Sequence, residues 1–132
     1  MKLLLDTHAV LWWLDDDDAR LGQRLRDMIA DPDNDVLVSV VSLWEIAVKV
    51  RVGKLRADVG SVVSEVRDGG FTILDIGFPH LLALADLPFH ADHRDPFDHL
   101  LIAQAIAERA TLVSADRHAS RYTVMVLPCS DA

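Results

Sequence analysis

The chain is poor in the features that anchor, cross-link or charge-coat a protein. It carries a single cysteine, Cys129, so neither an internal disulfide nor a thiolate metal cage can form. No apolar run approaches the roughly 18 residues that a membrane span needs. The first residues also lack the basic region and cleavable apolar segment of a secretory leader. The expectation is a cytoplasmic protein with no membrane partner. A basic surplus is missing too: 13 Lys and Arg against 21 Asp and Glu leave a formal net charge of -8. That balance argues against a protein that coats nucleic acid nonspecifically, and it leaves a nuclease open. Internal repeats and low-complexity linkers are absent as well.

What is present is a core. Hydrophobic residues make up 51% of the 132 and charged residues 26%, the composition of a globular domain, and the length suits one domain spanning 1–132. Read in order, Leu3–Leu5 is a buried strand and Thr7–Leu14 a short helix apolar nearly all round. The two faces of that helix suit either a core or a subunit interface, with Trp13 the residue to be left over. Asp18 can cap a helix from about Ala19 to Ala30; Val36–Val38 is a second strand. A third helix, about Val41–Val52, carries Val41, Trp44, Val48 and Val52 at helical spacing and closes at Gly53. Asp58 caps a helix over Val59–Asp68, Phe71–Ile76 is a strand, and helical spacing returns over Pro79–Asp86. Asp95 as N-cap and Pro96 at the first position open a helix to about Arg109. Thr111–Val113 is a fourth strand, Asp116 begins a turn or short helix, and Val124–Leu127 is a last strand. Strands that are continuous apolar runs, alternating with helices, mean a mostly parallel sheet covered on both faces: a three-layer α/β/α sandwich.

Four acids fall where such a fold collects them at one edge. Asp6 follows the first strand, and ligands of open α/β sheets bind at the strands' carboxyl ends. Glu45 lies in the helix after the second strand, Asp98 in the first turn before the fourth, Asp116 just after it. Each has an innocent alternative. Asp6 and Asp116 can cap helices, Glu45 can pair with Lys49 one turn on, and Asp98 can complete a first-turn charge pattern with Asp95. Gathered together, carboxylates repel by on the order of 4 kcal/mol per close pair at an effective dielectric of 20, and a cation is the natural relief. Oxygen ligands without thiolates select a hard ion, Mg²⁺ or Mn²⁺. Such a centre can activate a water and neutralise charge on a phosphodiester, so hydrolysis of a nucleic-acid backbone fits.

The blocks LLLDTHAVLWWL, SVVSLWEIAVKVRVGKL, RDPFDHLLIAQA and the later SAD, in this order, resemble those of PIN-domain ribonucleases, specifically the VapC-type toxins of type II toxin–antitoxin pairs. The resemblance covers nearly the whole chain. It implies a PIN fold, a Mg²⁺- or Mn²⁺-dependent endoribonuclease that uses a metal-activated water, a homodimer, and a VapB-type antitoxin that occupies the active site. It carries metal-binding or catalytic roles onto Asp6, Glu45, Asp98 and Asp116, and supporting roles onto the hydroxyls of Thr7 and Ser114. His99 is a departure, since relatives often carry arginine there, and the substrate contact at that position is left open.

Two further groups stand outside the acids. His90, His93 and His99 invite a zinc reading, but two of them precede a proline-capped helix and no cysteine is near to complete a tetrahedral set; solvated histidines are the expectation. Lys49, Arg51, Lys54 and Arg56 straddle the end of the third helix. The helix dipole accounts for Lys49, while Lys54 and Arg56, beyond Gly53, are candidates for RNA backbone contact. Two competing functions weaken on the same residues. An aspartyl-phosphate phosphotransferase would usually want an acid two residues after Asp6, where His8 stands, and a non-catalytic binding module would be expected to have lost one of the four acids.

Overall fold

The computed structural model describes residues 1–130. Five strands form one sheet: β1 (Lys2–Leu5), β2 (Asp35–Ser39), β3 (Thr72–Leu74), β4 (Thr111–Ser114) and β5 (Val126–Pro128). Their order is β3-β2-β1-β4-β5 and every pairing is parallel, so the sheet is wholly parallel where a mostly parallel one was expected. Six α-helices connect them: α1 (Thr7–Leu14), α2 (Gln23–Ala30), α3 (Val40–Arg51), α4 (Val59–Asp68), α5 (Phe78–Ala85) and α6 (Pro96–Glu108). A 3₁₀ turn covers Arg117–Arg121.

Alternation along β1 explains the layers. Leu3, Leu4 and Leu5 are all fully buried, yet Leu3 and Leu5 pack with Val10, Leu25 and Val66, while Leu4 packs with Ile102, Ala105 and Tyr122. The first set belongs to α1, α2 and α4, the second to α6 and to the C-cap of the 3₁₀ turn, so β1 is the central strand of a covered sheet. Burial of each leucine contributes about 1.5–3 kcal/mol. A polar strut crosses one layer: buried Gln104 on α6 accepts from the Ser39 hydroxyl at the end of β2 and donates to the carbonyl of Asp75, and its amide also meets His80. With these partners made, the buried amide fixes α6 against the carboxyl ends of the strands.

Two expectations fail. The second helix begins at Gln23 with Gly22 as its cap, and residues 18–20 form a turn in which Asp17, not Asp18, accepts from the Arg20 N–H. α3 forms where the helical spacing of Val41, Trp44, Val48 and Val52 places it, but that stripe is not the buried face. Val41 is buried, but Trp44 is 50% exposed, Val48 37% and Val52 57%, and the inward face is Val41, Ser42, Glu45 and Ile46. Helical spacing identifies a face, and topology decides which face turns inward. Trp13 is not left over: it is half-buried against the core and edge-on to Phe71, at 6.1 Å between ring centroids.

Candidate functional site

The chain runs β1-β2-β3 outward in one direction and then returns to place β4 on the other side of β1. A crevice at the carboxyl ends of β1 and β4 is the topological switch point, the place where open α/β sheets take their ligands. Asp6 stands at the end of β1 and is buried. Its Oδ1 accepts from the Ala9 N–H at 2.8 Å, capping α1, and its Oδ2 accepts from the Ala115 N–H at 2.9 Å, past the end of β4. Capping and site placement are therefore one arrangement, not alternatives. Burial raises its pKa above the ordinary value, against the pull of the Ala9 and Ala115 N–H groups and the Ser114 hydroxyl.

Asp98 enters from the first turn of α6. That helix is opened by Asp95, whose Oδ1 accepts from the Phe97 N–H at 2.9 Å, and by Pro96. Burial pushes the Asp98 carboxyl up to about 8, reinforced by the negative charges of Asp95, Asp116, Glu45 and Asp6. All three of the other expected acids thus lie within electrostatic reach of Asp98. Asp116 caps the 3₁₀ turn through the His118 N–H, 2.9 Å from its Oδ1. Asp6, Asp98, Ser114 and Asp116 line one narrow cleft floored by Leu101, Ile102 and Leu112.

Glu45 is buried on α3. Its Oε1 accepts from the Thr7 hydroxyl at 2.5 Å and its Oε2 meets the Lys49 ammonium at 3.1 Å, so the pairing one turn on is made within the site. Thr7 donates to Glu45, and Ser114 accepts from the Asp116 N–H at 2.9 Å besides touching Asp6. Lys54 and Arg56 are exposed past Gly53, whose φ of +78° ends α3 in the left-handed conformation glycine permits. Six residues at 1.5 Å rise set the end of α3 at Arg51 roughly 9 Å beyond Glu45 along the helix direction.

His93 corrects the expectation of solvated histidines. It is 5% exposed, its Nδ1 lies 2.8 Å from the Tyr122 hydroxyl, and its Nε2 lies 2.9 Å from Asp116 Oδ2 and 3.6 Å from Asp98 Oδ2. His99 braces it, with Nε2 2.7 Å from the His93 carbonyl. The only sequence signal was position: a loop running into a capped helix start must pass beside whatever that start faces. His90 is half-buried and stands off from the acids, edge-on to Tyr122 at 5.2 Å.

Donor chemistry at the cleft suits a divalent cation: carboxylate oxygens of Asp98 and Asp116, and one buried ring nitrogen, His93 Nε2, that makes no hydrogen bond among the described residues, lie within 4.8 Å of one another. No helix of the described residues is long and apolar enough to cross a membrane.

Solved structures of similar fold include VapBC2 from Rickettsia felis bound to a DNA fragment from its promoter, with a TM-score of 0.76, 18% identity, and 98% of this chain and 100% of that chain covered. VapBC-1 from nontypeable Haemophilus influenzae gives 0.69 at 13% identity, covering 97% and 98%. FitAcB from Neisseria gonorrhoeae gives 0.64 at 21%, covering 95% and 96%. No curated protein matches. The PIN domain family matches residues 3–124, nearly the full length of the fold and all of the acids in its cleft, and the chain belongs to that family.

Proposed function

We propose that this PIN domain, spanning 1–132, is a VapC-type toxin: a Mg²⁺- or Mn²⁺-dependent endoribonuclease, held in check in the cytoplasm by a VapB-type antitoxin. The observation that carries the reading is the meeting of Asp6, Asp98 and Asp116 in one cleft at the switch point, with Glu45 in electrostatic reach. Asp6, Glu45 and Asp98 would hold the ion, and Asp116 would hold it or orient the attacking water. A bound divalent ion supplies charge neutralisation for a phosphodiester and makes water a better nucleophile at neutral pH. The chain's own part is positioning. Asp6 is fixed by N–H groups from two separate segments, so its carboxylate cannot swing away. Glu45 is fixed between a hydroxyl and an ammonium, and Asp98, with its raised pKa, holds a proton near neutral pH in the metal-free chain.

Partner contact has support of a different kind. Trp44, Val48 and Val52 of α3 and Phe78, Leu81 and Leu82 of α5 are exposed apolar residues of the sort that mark protein interfaces, which suits a homodimer and an antitoxin. Purified protein should cleave RNA when Mg²⁺ or Mn²⁺ is present and not in excess EDTA, with activity returning on adding the ion. Cleavage that persists in excess chelator would overturn the metal-dependent reading.

Lys54 and Arg56 have no ion-pair partner among the described residues, and we assign them to the RNA backbone. Replacing both by alanine should weaken binding across RNA sequences and flatten its salt dependence by up to about two units of slope. An unchanged slope in a titration of affinity against salt would return them to the solvated surface.

A further inference from the structure

The His93 ring is placed as few structural histidines are. It is 5% exposed, its ring plane is stacked on His118 at 5.3 Å, and it is edge-on to His99 at 4.8 Å. Its Nδ1 has a partner in Tyr122, while Nε2 makes no hydrogen bond among the described residues. Asp116 Oδ2 is 2.9 Å from Nε2, a contact that is close without being a hydrogen bond. A buried donor left like this is destabilising, and the cost vanishes if Nε2 carries a lone pair directed at a cation. The spacing fits that use. Two ligand atoms at neighbouring positions of an octahedron with bonds of about 2.1 Å are roughly 3.0 Å apart. Nε2 and Asp116 Oδ2 are 2.9 Å apart, Asp98 Oδ2 is 3.6 Å from Nε2, and one ligand atom from each of the three lies within 4.8 Å of the others.

We infer that His93 Nε2 is a direct ligand of the ion in this cleft, beside Asp98 and Asp116, and that this nitrogen makes the centre prefer a transition-metal ion such as Mn²⁺ over Mg²⁺. The inference rests on the cleft being the metal centre proposed above. Tyr122 completes it. With the proton on Nδ1, the ring donates to the Tyr122 oxygen and Nε2 is left free for the ion, the usual device by which a ligating histidine is oriented. Imidazole nitrogen gains little from Mg²⁺, which favours oxygen and retained water, and more from Mn²⁺ and the later divalent ions.

The test uses the whole purified chain, stripped with EDTA and dialysed, with Mn²⁺ and Mg²⁺ alone as probes. Pulsed electron paramagnetic resonance of the Mn²⁺-loaded wild type should show modulation from a directly coordinated nitrogen, and the pattern should change when the protein is made with ¹⁵N-histidine. This readout needs no variant to fold. By calorimetry, His93→Gln should lose about tenfold or more in Mn²⁺ affinity and no more than about twofold for Mg²⁺. Mn²⁺ bound with no nitrogen coupling, or equal losses for both ions, would overturn the inference and leave His93 as a residue that positions Asp116, with the metal centre intact. Failure of the wild type to bind either ion would overturn both the inference and the metal centre.

Discussion

Asp6→Asn protein should remain folded and lose RNA cleavage by on the order of a hundredfold or more. Asparagine keeps one oxygen, enough to accept from the Ala9 N–H and preserve the cap on α1. It has no second acceptor for the Ala115 N–H, so one buried donor loses its partner at about 1–3 kcal/mol. That cost is offset in part because a charge need no longer be buried, and it is small against the 5–15 kcal/mol that typically holds a domain folded. What the substitution removes outright is negative charge at the centre of the cleft. Circular dichroism and a thermal melt check the first half, and single-turnover cleavage checks the second. A folded variant with near-normal cleavage would exclude Asp6 from the chemistry.

The second large effect is on stability without metal. The carboxyl of Asp98 ionises near its ordinary value of about 4 in the unfolded chain. In the folded chain it is pushed up to about 8. Between those limits the folded state holds the extra proton, so stability in EDTA falls as pH rises from about 4 to about 8 and then levels off. The loss is on the order of a few kcal/mol, roughly 3 to 5 °C of melting temperature for each. Asp6, also raised, contributes in the same direction. Metal should flatten the slope, because a cation favours the ionised forms and stabilises the native state in proportion to ligand excess over its dissociation constant. Asp116→Asn isolates the crowding: asparagine still accepts from the His118 N–H but carries no charge beside Asp98. Near neutral pH in EDTA the variant should melt higher than wild type, and with Mn²⁺ it should gain less. A lower melt in EDTA with an equal gain from Mn²⁺ would make Asp116 a structural residue and reduce the cluster to three acids.

Legibility in the sequence tracked how local each cause is. The cap-and-proline start of α6, the Asp58 cap of α4 and the Gly53 close of α3 are written within a few residues, and each stands where the sequence puts it. The full burial of Leu3 to Leu5 and the parallel pairing of the strands follow from continuous apolar runs, and with them the convergence of Asp6, Asp98 and Asp116. What the sequence hid was set by tertiary packing. The face of α3 that turns inward is the one carrying Glu45 toward the sheet edge, which leaves Trp44, Val48 and Val52 outside despite their helical spacing. His93 sits in a loop with no periodicity. Its place depends on Tyr122, 29 residues away, and on His99 bonding back to its carbonyl. No short window contains that information.

RNA 5′-end sequencing after induction, run in parallel on the wild-type protein and on Asp6→Asn, tests the central claim most directly. Discrete new 5′ ends with the wild type that are absent with Asp6→Asn at equal protein level are the predicted result; the same ends from both proteins, or no new ends from either, would contradict it.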